Sequence, residues 1–509
     1  MYTKSIWHEF IHPYSYPSLQ GDLNADVAVI GGGITGITTA ILLSQKGYKT
    51  VVLESRKVGG GTTSHSTGNL YFTVDKNLAQ FYKKYDADDI RKVVQSRSAA
   101  LNLIERWVGQ FNIDCDFRKV PWIMFSGNRE NDSKIEDEYR YAQEAAVPVT
   151  WAEGAGIPVI STKAIEVKGQ AQINPMKYVG ELANATKSDY LQIYENTSVM
   201  NVEEKEGHVL LETKGGTVTA RHAVHATHTP KGVKVYHTLL GPYREYGIAC
   251  PIDNRPFPEG IFWGYYDQDK KYSIRLYERN GKRYVIIVGE PHKVGQSDDN
   301  VRAVRNLEEF AFKQFGLTEV AYRWGGQHYR PADLLPYIGR ESKSSNVFVA
   351  TGFSTDGLVY GTLAGMIISG EISGEASEWA ELYNAHRFTP LKSAKQFLKE
   401  NINVAGEFLK VLPGVKDHSQ FLDIKPGSGA IVEKDNTKIA AYRDETGELT
   451  LVSAVCPHMK CIVNWNNAEK TWDCPCHGSR FKTDGSILEG PVYHALQKIH
   501  FEGDDVKKE

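Results

Sequence analysis

The stretch ADVAVIGGGITGITTAILLSQKGYKTVVLES, residues 25–55, admits few folds. An apolar run gives way to glycines at Gly31, Gly33 and Gly36, a helical apolar period follows, Gly47 stops it, and a second apolar run closes at Glu54. Strand, tight turn, helix and strand in that order predict a βαβ unit. The glycines permit the turn, the approach of a pyrophosphate to bare backbone and close packing of the helix, whose amino terminus favours an anion. Glu54 stands where an acid bonds ribose hydroxyls and disfavours a 2′-phosphate. A dinucleotide site is expected, and these residues alone leave NAD and FAD both open.

A chain of 509 residues exceeds what one ordinary core organises, so two or three domains are expected. From Asp75 to Phe111 apolar residues recur at helical spacing (Leu78, Phe81, Tyr82, Ile90, Val93, Val94, Leu101, Ile104, Trp107), which predicts helix buried along one face. Ser198 to Val224 and Ile261 to Gly289 alternate in short runs broken at Gly207, Gly215-Gly216 and NGK, the pattern of antiparallel sheet. NVFVATGFSTDGLVYGTLAGMIISG then offers a strand, a glycine-bearing turn and a small-residue helix able to pack closely.

This alternation predicts two interleaved domains. Nucleotide-binding segments fall at about 20–75, 150–230 and 320–375, with sheet segments between them. A helical connector covers 376–415 and ends at VLPG; a strand- and turn-rich domain follows over 416–509.

Net charge is −3 and no long basic run appears, so nothing marks a nucleic-acid partner and a small-molecule substrate is expected. No apolar run reaches membrane-spanning length, and the amino terminus lacks a basic stretch followed by an apolar core. These features predict a cytoplasmic protein without a membrane span. Cys115 and Cys250 are isolated, unlike a secreted disulfide framework.

The other four cysteines crowd into CPHMKC, Cys456 to Cys461, and CPCHGSRF, Cys474 to Phe481. Cys456 and His458 form CxH, fifteen residues intervene, and Cys474 and His477 form CxxH. Two thiolates and two imidazoles suit a 2Fe-2S centre with both sulfurs on one iron and both rings on the other. Tetrahedral zinc is the competing reading of the same ligand types.

Two resemblances sharpen these expectations. The fingerprint from Gly31 to Glu54, the loop GGGTTSHSTGN after it, and the segments Leu335 to Gly339 and Ala350 to Gly357 together resemble the flavoprotein family of D-amino-acid and glycine oxidases. The resemblance covers most of residues 20–375 and implies FAD, a Rossmann-like α/β domain interleaved with an antiparallel-sheet substrate domain, and oxidation of a small substrate. It implies that Gly61, Thr62, Thr63, His65, Ser66 and Thr67 bind the cofactor, with His65 to Thr67 beside the isoalloxazine. Val199 falls at the adenine, and Gly352, Phe353, Gly357 and Leu358 near the pyrimidine edge.

In that family an arginine binds the substrate carboxylate just before this last region. In GGQHYRPADLLPYIG an ungapped match puts His328 in its place, with Arg330 two residues on, so His65, His328 and Arg330 are the candidate catalytic residues. No cysteine lies near Arg330, which favours noncovalent FAD over a cysteinyl flavin of the sarcosine-oxidase type. Tyr246, Arg275 and His292 fall in the substrate sheet, where ordinary structural roles compete with substrate contact.

The cysteine and histidine segment resembles the Rieske domain, an all-β fold, to about residue 497. It resembles the bc-type subclass, which implies Cys456, His458, Cys474 and His477 as iron ligands and a disulfide between Cys461 and Cys476. Ser479 matches a serine that bonds a cluster sulfur, Phe481 stands where high-potential members often carry tyrosine, and Lys460 replaces a common glycine. In that family the imidazole ligands are exposed at a domain tip, which here would be the electron exit.

Both parts are redox centres. The leading expectation is an enzyme that oxidises a CH-NH or CH-OH bond and releases electrons singly to an external carrier. Two alternatives stand beside it: a ferredoxin-like donor reducing the flavin through the cluster, and a Rieske domain used for redox sensing or docking.

Overall fold

The computed structural model describes residues 3–10, 13–75, 77–253, 255–267, 270–387, 392, 401, 403–404, 421–502 and 505–508. The βαβ unit forms as read: β1 (Leu23–Ile30), α1 (Ile34–Gln45) and β2 (Thr50–Leu53), the two strands parallel. Around them an eight-stranded sheet runs in the order Tyr337–Arg340, Val347–Thr351, Thr217–His225, β1, β2, Leu191–Tyr194, while the hairpin partners His208–Thr213 and Val199–Lys205 extend it sideways. Residues 198–224 are thus only partly the antiparallel sheet expected of them. Their last strand pairs antiparallel with His208–Thr213 and parallel with β1, because a strand buried between β1 and Val347–Thr351 must satisfy both neighbours.

Small residues set the packing on one face of this sheet. A side chain at Gly361 or Gly365 of the helix Gly357–Ser373 would come within 2.6 Å of Thr35 or Thr38, so α1 and that helix meet almost backbone to backbone. The stretch expected to be helical from Asp75 breaks into Leu78–Phe81 and Ala87–Gln110, where Asp86 caps the second helix by accepting the Asp89 N–H at 2.9 Å. Its periodic residues Ile90, Val93, Leu101, Ile104 and Trp107 are all buried.

A nine-stranded sheet forms the second layer system, ordered Tyr322–Pro331, Leu240–Pro251, Lys282–Lys293, Lys271–Arg279, Ile261–Tyr265, Arg118–Ser126, Lys163–Gln172, Asn69–Leu70, with Val149–Ala152 beside it. The chain crosses between the sheets more often than the segment boundaries expected. Val149–Ala152 and Lys163–Gln172 leave the 150–230 segment for the nine-stranded sheet, as does Tyr322–Pro331 from 320–375. Motif spacing marks where a ligand sits and not which sheet edge the intervening strand completes.

The carboxy-terminal domain is all β: a three-stranded sheet (Ser428–Lys434, Thr437–Arg443, Leu449–Ser453), a four-stranded sheet (Asn464–Asn466, Thr471–Asp473, Arg480–Phe481, Ile487–Glu489) and a final hairpin. Its core gathers Ala440, Val452, Val463, Trp472, Phe481 and Leu496 around Cys456, Cys461, Cys474 and Cys476. Of the expected connector, the short helix Ala380–Tyr383 is seen; most of the rest and the boundary near 415 lie outside the described residues. Among the described residues no helix is long and apolar enough to cross a membrane.

Candidate functional site: a dinucleotide cavity walled by a cysteine and histidine domain

A cavity of about 1260 Å³ opens at the carboxyl ends of β1 and β2. Gly31 turns there with φ +105°, and a Cβ on it would stand 2.6 Å from the Ala226 carbonyl oxygen. At Gly36 a Cβ would stand 1.9 Å from the Gly31 oxygen, so α1 can start where it does only with glycine at that position. Glu54 is fixed by backbone donors, its Oε2 accepting the Gly32 N–H at 2.7 Å and Oε1 the Arg56 N–H at 2.8 Å. The following loop is tied to the same turn: Thr63 Oγ1 accepts the Ile34 N–H at 3.2 Å, and Thr62 Oγ1 lies 3.1 Å from His228 Nδ1.

Gly31, Gly33, Glu54, Gly61, Thr62, Thr63, His65, Ser66, Thr67, Val199, Phe353, Gly357 and Leu358 all line this cavity. Gly36 and Gly352 do not. Gly36 serves helix packing; Gly352, at φ +78°, makes a turn in which a Cβ would meet Pro331 and Leu240. Asp356 in the same return is structural: it pairs with the fully buried Arg97 at 2.9 Å and accepts the Tyr71 hydroxyl.

The three candidate catalytic residues also face the cavity. His65 Nδ1 lies 3.1 Å from the Gly61 carbonyl, which only accepts, so Nδ1 carries the proton and Nε2 keeps its lone pair. His328 and Arg330 alternate on one face of Tyr322–Pro331, and Arg330 Nε donates to His328 Nε2 at 3.0 Å. The Arg330 guanidinium lies over the Tyr243 ring at 4.0 Å. Of the residues given competing readings, Arg275 is buried and donates to the Thr67 carbonyl at 2.8 Å, buttressing the loop, and burial lowers its pKa to about 9. His292 Nε2 meets Asn300 at 2.9 Å. Tyr246 is fully buried, lines the cavity and accepts a hydrogen bond from Asn466 at 3.2 Å.

The second site assembles beside this cavity. Cys461 and Cys476 form a disulfide, whose sulfurs lie within 4.8 Å of the Cys474 sulfur. The His458 and His477 rings stand 5.0 Å apart. His458 Nε2 lies 3.1 Å from the Gly232 carbonyl, so Nε2 carries the proton and Nδ1 presents its lone pair. The Nδ1 atoms of both histidines and the Ser479 hydroxyl are buried without a hydrogen-bond partner. Buried polar atoms are seldom left so, and three of them in the two loops that carry the free thiols Cys456 and Cys474 fit a cluster that takes the nitrogens as ligands and the hydroxyl as donor to a sulfur. Tetrahedral zinc could use the same lone pairs and thiolates. The isolated thiols, Cys115 and Cys250, are core residues pushed up to about 12 by burial.

The histidine face does not form the solvent-exposed tip expected for it. His477 is buried, and His237 of the oxidoreductase part packs its ring 4.7 Å from His458 and 5.7 Å from His477. His237 is itself fixed, Nε2 donating to the Pro230 carbonyl at 3.1 Å and Nδ1 accepting the Lys234 N–H at 3.2 Å. Tyr329 donates its hydroxyl to the His477 carbonyl at 3.2 Å and packs its ring 4.8 Å from His228 on the cavity wall. The exposed tip is covered because the domain docks through it onto the body of the chain.

Buried charge holds that dock. Arg244 makes a two-pronged bond to Glu469, and Arg480 reaches Asp473 at 3.0 Å, Glu489 at 3.2 Å and Glu469 at 3.3 Å. Burial alone would raise the pKa of Glu469 and Glu489, but the two guanidiniums overcome it and hold both carboxyls at about 2. Glu489, with Ile487, Leu488, Gly490 and Tyr493, forms part of the cavity wall. No sequence motif marks these residues or Lys231 and His228 opposite them, because they meet only through docking.

The model of FAD dependent oxidoreductases matches residues 26–370, and that of the Rieske [2Fe-2S] domain matches 417–500. The chain belongs to the FAD-dependent oxidoreductase family. It carries a carboxy-terminal Rieske domain and takes FAD and a 2Fe-2S cluster. Over 97% of its length it is 30% identical to the Rieske 2Fe-2S iron-sulfur protein YhfW of Bacillus subtilis (strain 168), of which it covers 97%. It is 23% identical to gamma-glutamylputrescine oxidoreductase of Escherichia coli (strain K12), over 75% of this chain and 92% of that one. The crystal structure of glycine oxidase from Geobacillus kaustophilus shares the fold, with a TM-score of 0.58 at 19% identity over 72% of this chain and all of that one. This FAD-dependent oxidoreductase is therefore of the amino-acid and amine oxidase type.

Proposed function

We propose that the protein oxidises the CH-NH bond of a small amine or amino acid and delivers the electrons singly, by way of the Rieske domain, to an external one-electron carrier. The observation that carries this reading is the shared wall: the cavity that takes FAD is bounded by Ile487 to Gly490 of the Rieske domain, and the histidine pair of that domain faces inward. When bound, the flavin accepts two electrons with a hydride and the cluster holds one.

The protein groups then divide the work. The glycine turn and Glu54 hold the dinucleotide, and the Thr62 to Thr67 loop approaches its far end. Arg330, steadied through Nε by His328, has its outer nitrogens left for a substrate carboxylate. His65 Nε2 is a lone pair able to take the amine proton. An external carrier would come nearest at the half-buried edge of His458, beside the exposed Met459.

Anaerobic mixing of the holoprotein with amines, amino acids and hydroxy acids tests the reading. Flavin bleaching by a nitrogen-bearing substrate, followed by the Rieske EPR signal, is expected. Bleaching by hydroxy acids alone would move the substrate class, and a cluster left oxidised beneath a bleached flavin would sink the electron route.

A further inference from the structure

The Rieske domain sits on the back of the ribbon that carries His328 and Arg330. Tyr322–Pro331 and Leu240–Pro251 pair antiparallel, with Pro242 opposite Tyr329, Tyr243 opposite His328 and Arg244 opposite Gln327. Side chains alternate along a strand, and residues directly opposite one another share a face. Tyr243, His328 and Arg330 therefore point together and line the cavity. Pro242, Arg244, Gln327 and Tyr329 share the other face, where Arg244 meets Glu469 of the Rieske domain.

That face receives the loop Cys474–Ser479, which carries the proposed ligands Cys474 and His477. The loop closes on itself: the Cys474 N–H donates to the Ser479 carbonyl at 2.8 Å and the Gly478 N–H to the Cys474 carbonyl at 3.1 Å. The carbonyls of His477 and Gly478 go to the strand instead, accepting the Tyr329 hydroxyl at 3.2 Å and Gln327 Nε2 at 2.8 Å. Gln327 Nε2 also donates to the Tyr329 oxygen at 3.0 Å, and its own Oε1 is left buried without a partner among the described residues. A buried amide seldom leaves its oxygen so; here the two acceptors dictate which way it turns. The contact is close. Gly478 has φ +74°, and a Cβ on it would stand 2.8 Å from Gln327 Nε2, 2.8 Å from Pro242 Cβ and 2.9 Å from the Tyr329 hydroxyl oxygen. Because a peptide is planar and trans, a donor on the Gly478 carbonyl also fixes the direction of the Ser479 N–H, and with it the placing of Ser479, whose hydroxyl is buried without a partner.

We propose that Gln327 and Tyr329 are positioning residues for the 2Fe-2S cluster: from the oxidoreductase part they hold the loop that carries His477 and Ser479, and so raise the cluster's reduction potential. Their donors draw electron density from the two carbonyls and keep the serine hydroxyl in place for a cluster sulfur. Both effects favour the reduced, more negative state. The proposal rests on this loop holding the cluster and is independent of the substrate and of the direction of electron flow.

The test is a redox titration of the Rieske EPR signal in full-length holoprotein, with flavin content and thermal midpoint measured alongside. Tyr329→Phe removes one oxygen, and Gln327→Met removes the amide at similar length. Each is expected to move the cluster's reduction equilibrium about fivefold toward the oxidised form at a fixed ambient potential, the effect of losing one hydrogen bond, with the EPR signal retained and flavin bound. Asn467→Ala is the control: in a turn outside the loop, its Oδ1 accepts the Asn300 and Val301 N–H groups at 2.9 and 3.2 Å, so it removes bonds between the same two parts of the chain. It should lower the thermal midpoint and leave the potential unmoved. An unmoved or raised potential in either Tyr329→Phe or Gln327→Met overturns the proposal, as does an equal shift in Asn467→Ala, which would make docking as a whole the cause. Should Gln327→Met lose the cluster, Tyr329→Phe decides alone by the same criterion.

Discussion

The glycine turn and the docking face of the Rieske domain border one cavity but are built on opposite principles. At the turn, space is the determinant: the Ala226 carbonyl leaves no room for a Cβ at Gly31 and the Gly31 carbonyl none at Gly36, and little hangs on side-chain charge. At the dock, charge is the determinant: Arg244 of the oxidoreductase part meets Glu469 across the interface, while Arg480 on a neighbouring Rieske strand holds Glu469, Glu489 and Asp473 in place. The first kind of site tolerates no added atom and the second no missing one.

The sharpest contrast comes from adding atoms at the turn. Gly36→Val is expected to cost more than about 3 kcal/mol, since a clash with backbone cannot be relieved by a rotamer change. Soluble yield and flavin content measure it, and folded, yellow protein would break the spatial half of the comparison. Removing a charge at the dock comes next. Arg244→Met leaves Glu469 buried without its main partner and should destabilise by about 3–5 kcal/mol, read as a lower thermal midpoint with earlier loss of the Rieske signal. A variant as stable as the parent would mean that the dock rests on its apolar contacts.

Acid should separate the two regions more gently. Glu469 and Glu489 fold with carboxyls held at about 2, below the usual value of 4.5, so their contribution is present above about 4.5 and disappears as pH falls toward 2. Between those limits the holoprotein is expected to lose stability, and substituting Arg244 should flatten that dependence. A melting temperature constant across the window would contradict the assignment.

The smallest effect lies at the cluster. Ser479 has a buried hydroxyl with no partner, whereas Phe481 is a buried apolar ring in the same core. A donor to a cluster sulfur stabilises the reduced state, so Ser479→Ala should lower the potential and Phe481→Tyr raise it. Each shift is about 40 mV for a hydrogen bond of about 1 kcal/mol. Protein-film voltammetry reads both. A tyrosine without effect would place residue 481 away from the sulfurs.

The same contrast explains what could be read in the sequence. The βαβ unit, the loop from Gly59 to Asn69, and the cysteine and histidine pairs were legible because each is local: the chemistry needs fixed residues at fixed spacing, and neighbours in sequence supply it. The fold followed from the same motifs. The contributions of Lys231, His228, Glu489 and Tyr493 were not legible, because a lysine after a strand or a tyrosine in a turn becomes a cavity wall only when two domains meet. The inward turn of His458 and His477 was missed for the same reason: exposure is a property of the assembled chain. The strand Tyr322–Pro331 carries His328 and Arg330 into the cavity, yet nothing in its residues says which sheet it joins.

On the proposed route, the two redox sites work across one internal wall. Stopped-flow mixing of anaerobic holoprotein with a substrate that bleaches the flavin, followed at the cluster's absorbance over a hundredfold range of protein concentration, tests it most directly. Transfer within one chain predicts a first-order rate of cluster reduction that does not change with protein concentration. A rate that rises in proportion to concentration, or a cluster that stays oxidised, would contradict it.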